Sequence, residues 1–231
     1  MKTKLSIAGI LFLLVFQSCD NRASEELSSQ NETVKVSSSK GNNLAKLSFD
    51  SKSLSGYISN QLALQLEVRN LLDNEKNVDY SLIQSELQNV ETIEQLELLY
   101  RNANILHGEE LISLYNEMNS NSEIFINNNK DFYTKYTQDQ RSTLIIEEID
   151  RQLGYDDNLA ARVNCHANFV KASNRCMRNY AISMTGVAVS GFFSFGVSTV
   201  VGGAVATTMM VMCNSDADED YHDCVKGGGQ P

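Results

Sequence analysis

The fold of this chain is set by CHANFVKASNRC at residues 165–176 and by its counterpart CNSDADEDYHDC at residues 213–224. Ten residues separate the two cysteines in each stretch. In an α-helix, a step of about eleven residues at ~100° each returns a side chain to within about 20° of the same face, roughly three turns along. The two cysteines of each stretch therefore share one helix face.

Besides Cys19, these four are the only cysteines of the chain, and four cysteines allow three pairings. Within one stretch the two cysteines would lie roughly 16 Å apart on a helix. A disulfide requires a Cα separation below about 7 Å. Two antiparallel helices satisfy this limit for both bonds in a single register. The sequence therefore predicts the bonds Cys165–Cys224 and Cys176–Cys213.

The charges of the two stretches favour the same register. The first stretch and its flanks carry only basic charges, whereas the second carries only acidic ones. In the predicted register Lys171 faces Asp218, and Arg175 lies near Asp216. The arrangement resembles the twin-cysteine helical hairpins of the coiled-coil–helix type, in which two helices are bonded twice. Those hairpins have a short turn, whereas 36 residues separate Cys176 from Cys213 here.

Two metal sites are alternatives for the same residues. A Cys2His2 zinc site would use Cys165, His166, His222 and Cys224. Cysteines of exported proteins are usually oxidised, which favours the disulfides. Asp216, Asp218 and Asp220 resemble the start of a calcium loop, but Tyr221 and Gly227 stand where an EF-hand needs Gly and Glu. We therefore expect no metal and no cofactor.

An uncharged tract runs from Asn179 to Ser215, between the two stretches. Small residues recur in it at every fourth position, a pattern that lets helices approach closely and is common in membrane helices. They are Gly186, Ser190, Ser194, Ser198, Gly202 and Ala206. A turn near Ser194-Phe195-Gly196 would leave two helical arms of roughly 25 Å each. Residues 159–226 are thus predicted to form a disulfide-clamped antiparallel helical hairpin with a long apolar, Gly/Ser-rich middle, followed by a flexible tail at 227–231.

Two environments are open for this hairpin. It can be buried against the rest of the protein, or residues 180–212 can insert into a lipid bilayer, where the small residues and Phe195 would contact lipid or the other arm. A single membrane-spanning helix is possible by length. It would separate the two cysteine stretches and prevent the Cys176–Cys213 bond.

The N-terminus has the pattern of an export signal. Lys2 and Lys4 precede an apolar segment at residues 5–16, which is shorter than the ~20 residues that span a bilayer. A basic start followed by a short apolar segment is typical of a secretory signal. Ordinary secretion is one outcome, although bulky Phe16 fits the general signal peptidase poorly.

The end of this segment, Ser18-Cys19, resembles the cleavage site of a bacterial lipoprotein signal, similar to those of Bacteroidota lipoproteins. Phe16 and Gln17 differ from the commoner Leu and small residue. The resemblance implies that residues 1–18 are removed and that Cys19 is acylated and anchors the chain in a lipid bilayer.

Residues 19–46 are rich in Ser, Asn and Glu, which predicts a flexible tether. Asp20 would favour the inner membrane under the enterobacterial sorting rule. Early acidic residues such as Glu25-Glu26 instead accompany surface display in Bacteroidota-like export. We expect the bacterial cell envelope, at the outer membrane or cell surface rather than the inner membrane.

Residues 47–158 have helical periodicity and predict an all-α bundle. The capping signals are Asp79, Thr92 with Gln95, Thr137 with Gln140, and Gly154 as a C-cap. The predicted core stripes are Ile58, Leu62 and Leu66; Ile83, Leu87 and Val90; Leu96, Leu99, Ala103 and Leu106; and Leu111, Leu114, Tyr115 and Met118. The segment NSNSE at 119–123 predicts a break in the helix, and NNN at 127–129 a second.

Composition excludes several function classes. A net charge of −10 argues against nucleic acid and against general attraction to anionic lipid. No phosphate-binding loop, nucleophile elbow or His-Glu-x-x-His motif is present. Glu147 and Glu148 are neighbours on a polar helix face and do not face each other. His107 begins a helix and is predicted to be a surface residue.

Two functions therefore remain as hypotheses. The first is a membrane-anchored exported lipoprotein with a non-enzymatic envelope or interaction role and a protein partner of unknown identity. The second is a membrane-active effector, because residues 180–212 resemble the small-residue-rich hydrophobic hairpins of some bacteriocins and pore-forming toxins.

Overall fold

The computed structural model describes residues 52–155, 164–191 and 196–228, and these residues form helices and no strand. They belong to one compact unit, Asn42–Pro231. The α-helices are α1 Leu54–Leu72, α2 Tyr80–Glu86, α3 Ile93–Asn102, α4 Gly108–Asn128, α5 Lys130–Lys135, α6 Gln138–Leu153, α7 Cys165–Met184, α8 Gly186–Ser190 and α9 Val197–Lys226, and a 3₁₀ turn follows α2 at Leu87–Asn89. The predicted all-α fold is confirmed.

Several predicted features lie outside the described residues. These are the signal peptide at 1–18, Cys19 and the tether to residue 46, the turn residues Ser194 and Phe195, and residues 229–231 of the tail.

Local capping signals begin and end the helices as predicted. The Asp79 carboxylate accepts the Leu82 N–H at 2.9 Å at the start of α2. Reciprocal capping boxes, Thr92 with Gln95 and Thr137 with Gln140, begin α3 and α6. Gly154 ends α6 with φ +60°, a conformation that glycine adopts without steric cost.

The predicted break at 119–123 is wrong, because α4 continues to Asn128. Two of the polar residues in this segment face α1 and bond to it. The Asn121 side-chain amide donates to the Tyr57 carbonyl at 3.1 Å, and the Ser122 hydroxyl lies 3.1 Å from the Tyr57 hydroxyl. These tertiary bonds stabilise a helix that Asn and Ser would otherwise weaken.

The buried face of α1 is rotated from its predicted position. Ile58 is buried, Leu62 is half-buried, and Leu66 is 44% exposed. Gln61 and Gln65 occupy the core face instead. The Gln61 amide donates to the Met118 carbonyl at 2.8 Å, which satisfies one polar group of this buried side chain.

The predicted stripe that ends at Leu106 is wrong at its last residue, in the turn between α3 and α4. Leu106, predicted as core, is 82% exposed, and Ile105 is buried in its place. Asn104 has φ +64°, so the chain leaves the helical path before Leu106.

The buried Glu75 carboxylate accepts the backbone N–H groups of Leu106 and His107 and lies 2.8 Å from the His107 ring nitrogen Nδ1. The His107 side chain is 40% exposed.

Two apolar clusters form the core. The first joins α9 to α1–α4 and includes Leu96, Tyr115, Val200, Ala204 and Met210. The second joins α7 and α8 to α1, α4 and α6 and includes Phe125, Ile149, Ala181 and Ala188. Both arms of the predicted hairpin are therefore packed against the helices that precede them.

Glu75→Gln tests the cap at the start of α4. Burial alone would raise the pKa of Glu75, but the hydrogen bonds from Leu106 and His107 lower it overall. A lowered folded-state pKa adds stability above the unfolded value of about 4.3, and this stability is lost as the pH falls through the folded value. We expect the variant to lower the free energy of unfolding by about 1–3 kcal/mol near neutral pH.

Urea unfolding at about pH 7 and about pH 3 measures this difference, which should shrink at the lower pH. Glu117→Gln, on the exposed face of α4, is the control. An equal loss at both pH values would contradict the electrostatic role of Glu75.

Candidate functional site: a disulfide-clamped hairpin

Two disulfides join α7 to α9 with the predicted connectivity. Cys165 bonds Cys224 and Cys176 bonds Cys213, each with a Cα–Cα distance of 5.7 Å. Cys165 and Cys176 are buried. The bonds lie three turns apart on each helix, so they permit only one antiparallel register.

Side-chain hydrogen bonds extend this register beyond the disulfides. The Ser173 hydroxyl donates to the Asn214 side-chain oxygen at 2.9 Å. The Tyr180 and Thr207 hydroxyls lie 3.0 Å apart further towards the apolar end. The two arms are thus aligned along most of α7.

The hairpin register brings Arg175 and Asp216 to one groove, as predicted, but does not pair them as ions. The ion pairs formed among the described residues include neither Lys171–Asp218 nor Arg175–Asp216. A neighbouring arginine has a different partner: Arg178 of α7 donates to both carboxylate oxygens of Asp150 on α6, at 2.5 and 2.9 Å. This pair joins the hairpin to the bundle rather than one arm to the other.

The described residues of the predicted small-residue stripe differ in burial. Gly186 and Ser198 are exposed, Ser190 and Gly202 are half-buried, and Ala206 is buried. The close helix approach occurs at Gly203, one residue away from the stripe. A Cβ atom there would lie 2.9 Å from the ring of Tyr115 on α4, closer than atoms can pack.

A chain of buried hydroxyls connects α3, α4, α9 and α7. The Tyr100 and Tyr115 hydroxyls are 3.2 Å apart, and the Tyr180 and Thr207 hydroxyls are 3.0 Å apart. Thr207 also lies next to Tyr115 and lowers its pKa. Burial raises the pKa of all three tyrosines far above the ordinary value, so they stay neutral. The helical spacing marked Tyr115 as core, but nothing in the sequence indicated its hydroxyl partners.

The far end of the hairpin is held by side chains of α5 and α6. The Arg141 guanidinium donates to the Val189 carbonyl at 2.9 Å, and the Tyr133 hydroxyl donates to the Ala188 carbonyl at 2.9 Å. These carbonyls end α8 and have no partner within the helix, so the two side chains satisfy them. Gly191 follows with φ +72°, and a Cβ there would lie 2.5 Å from the Tyr133 ring. We call Tyr133 and Arg141 the tip latch.

Among the described residues, α9 is the helix that is long and apolar enough to cross a membrane. In an apolar 18-residue segment of this helix, 39% of the residues are buried against the rest of the protein. A core helix of a water-soluble protein meets the same length and composition criteria. The packing of Ala204 and Met210 in the first cluster shows that α9 is a core helix on one face and open on another.

The remaining candidate residues do not assemble an acid–base or metal site. The thiols that a zinc site would need are bonded as disulfides, and no group of His, Cys, Asp and Glu among the described residues is arranged to hold a metal. Hydrogen bonding from Arg151 lowers the pKa of Glu148 to about 2, which suits an ion pair and not a general acid at neutral pH.

Removing the inner disulfide tests the clamp. We expect Cys176→Ser with Cys213→Ser to lower the free energy of unfolding by about 2–4 kcal/mol, because residues 176 and 213 can then separate in the unfolded chain within the larger loop that Cys165–Cys224 still closes. Urea unfolding monitored by circular dichroism gives this value. Non-reducing peptide mapping of the wild-type protein should show 165–224 and 176–213 links, and a 165–176 link would refute the hairpin.

Two glycine substitutions distinguish the observed helix contact from the predicted stripe. Gly203→Ala should destabilise the protein by about 1–2 kcal/mol, because the clash with Tyr115 outweighs a helix-propensity gain of up to ~1 kcal/mol. Gly186→Ala meets nothing within 4 Å and should be neutral or stabilising. Thermal unfolding compares them, and a tolerated Gly203→Ala would rule out the tight contact.

No protein-family model, no curated protein and no solved structure matches this chain.

Proposed function

We propose that this chain is an exported lipoprotein of the bacterial cell envelope, anchored through acylated Cys19, whose helical body has a non-enzymatic interaction role. The anchor rests on the basic start, the short apolar segment and the Ser18-Cys19 site. The outer membrane or cell surface is the location that we propose.

One observation carries the interaction role: the hairpin is built as a rigid part of the protein body. It is bonded twice at its base, and α9 packs against Tyr115 through Gly203. The tip latch holds its other end. A rigid body without an acid–base or metal constellation among its described residues suits the presentation of a surface to a partner.

A second candidate is a membrane-active effector that acts through residues 180–212. The length and apolarity of α9 favour it, and much of the apolar segment of this helix is not buried. Insertion would require the tip latch to open, because Arg141 cannot follow the hairpin into lipid without a large desolvation cost.

Dye release from liposomes distinguishes the two candidates. Full-length protein carrying Cys19→Ser, and therefore no acyl chains, should cause no leakage from neutral or anionic vesicles. Arg141→Ala, which opens the tip latch, should also be inactive if the hairpin is only structural. Leakage that increases with Arg141→Ala would favour the effector.

Cell fractionation tests the anchor separately. The wild-type chain should be found in the membrane fraction. Cys19→Ser should move the chain to the soluble fraction or leave it as the longer precursor with its signal peptide. A wild-type chain that is soluble after export would contradict the proposed lipoprotein.

A further inference from the structure

A groove lies beside the inner disulfide, where α2, α7 and α9 meet. Its volume is about 310 Å³. Side chains from all three helices line it: Gln84, Arg175, Met209, Met212, Asp216 and Asp220. The inner disulfide of the hairpin thus forms one wall of this surface groove, to which no function has been assigned above.

An apolar seam on α9 passes through the groove, which Met209 and Met212 line, and continues beyond it towards Val205. Met209 is 45% exposed, and Val205 and Met212 are half-buried. The spacing along the seam alternates between three and four residues, in the order Gly202, Val205, Met209, Met212 and Asp216. This spacing is the one at which a second helix packs along a first, and the seam extends over roughly 21 Å at helical rise.

The seam is also charged at only one end. Asp216 and Asp220 line the groove at the C-terminal end, and further carboxylates follow on α9. Among the described residues that line the groove, Arg175 is the one basic side chain. From Val205 to Met212 the helix carries no charge. An occupant with an apolar stripe and a basic end would therefore match both parts of the surface.

We propose that this groove binds an amphipathic helical segment of a partner protein. The apolar stripe of this segment lies on Met209 and Met212 and continues towards Val205, about one turn outside the groove. Its Lys/Arg-bearing end lies at Asp216 and Asp220. This assignment rests on the proposed interaction role and names the class of partner. Methionine side chains adapt to different apolar partners, which suits a groove that accepts a helix. The carboxylates set the direction of the bound helix.

Fluorescence polarisation with a defined probe tests the groove. The probe is a fluorescein-labelled Leu/Lys helical peptide of about 18 residues, or ~five turns, with lysines concentrated at one end. We expect Asp216→Asn with Asp220→Asn to weaken binding about five- to tenfold, because two ion pairs are lost. Met209→Gln should weaken it about tenfold by removing an apolar anchor, and Met209→Leu should retain it.

Matched variants distinguish binding of the probe in the groove from general attraction of a basic peptide to an acidic protein. Glu67→Gln with Glu117→Gln removes two exposed carboxylates elsewhere and should leave the affinity within twofold. Leu66→Gln removes a leucine that is 44% exposed, against 45% for Met209, and should also have no effect. Circular dichroism confirms that each variant is folded.

Three results would overturn the groove assignment. These are no binding of the probe by the wild-type protein, an equal loss for both carboxylate pairs, or unchanged affinity for Met209→Gln. Binding to phosphatidylcholine vesicles that Met209→Gln abolishes, without peptide binding, would assign the seam to lipid instead. None of these results changes the fractionation of the Cys19→Ser chain, so the lipoprotein proposal is judged independently.

Discussion

Two disulfides, three helical turns apart, hold α7 and α9 in one register, and the interior contacts of the hairpin follow from that constraint. With the register set, Thr207 lies at the Tyr180 hydroxyl, and Gly203 faces α4 where a larger residue would clash with Tyr115. Covalent bonds are useful here because the apolar arms carry few groups that specify direction or register. Small residues permit many helix alignments, and the clamp selects one.

The same constraint divides α9 into two faces with different environments. The face with Ala204 and Met210 belongs to the core, whereas Met209, on the other face, remains exposed. An apolar tract without charges is therefore compatible with a folded, non-inserted protein, provided that both ends are held. Disulfides hold the base, and Arg141 and Tyr133 hold the tip through the last carbonyls of α8.

Local and geometric signals were predictable from the sequence, and long-range polar partners were not. The capping boxes, the Gly154 C-cap and the cysteine pairing depend on spacing alone, so periodicity was sufficient to find them. The buried face of α1 was misplaced because Gln61 finds a carbonyl partner on α4, which no pattern in α1 indicates. The tip latch was missed for the same reason, since Arg141 and Val189 lie 48 residues apart in sequence. Asn121 likewise appeared to end a helix that its bond to Tyr57 stabilises.

The central claim is that α9 is a core helix of a clamped hairpin, and native-state hydrogen exchange measures this most directly. Amides of residues 200–210 should exchange among the slowest in the protein, at the rate of global unfolding, and their protection should not change when lipid vesicles are added. Rapid exchange of this segment with both disulfides intact, or a change in its protection on exposure to vesicles, would contradict the account.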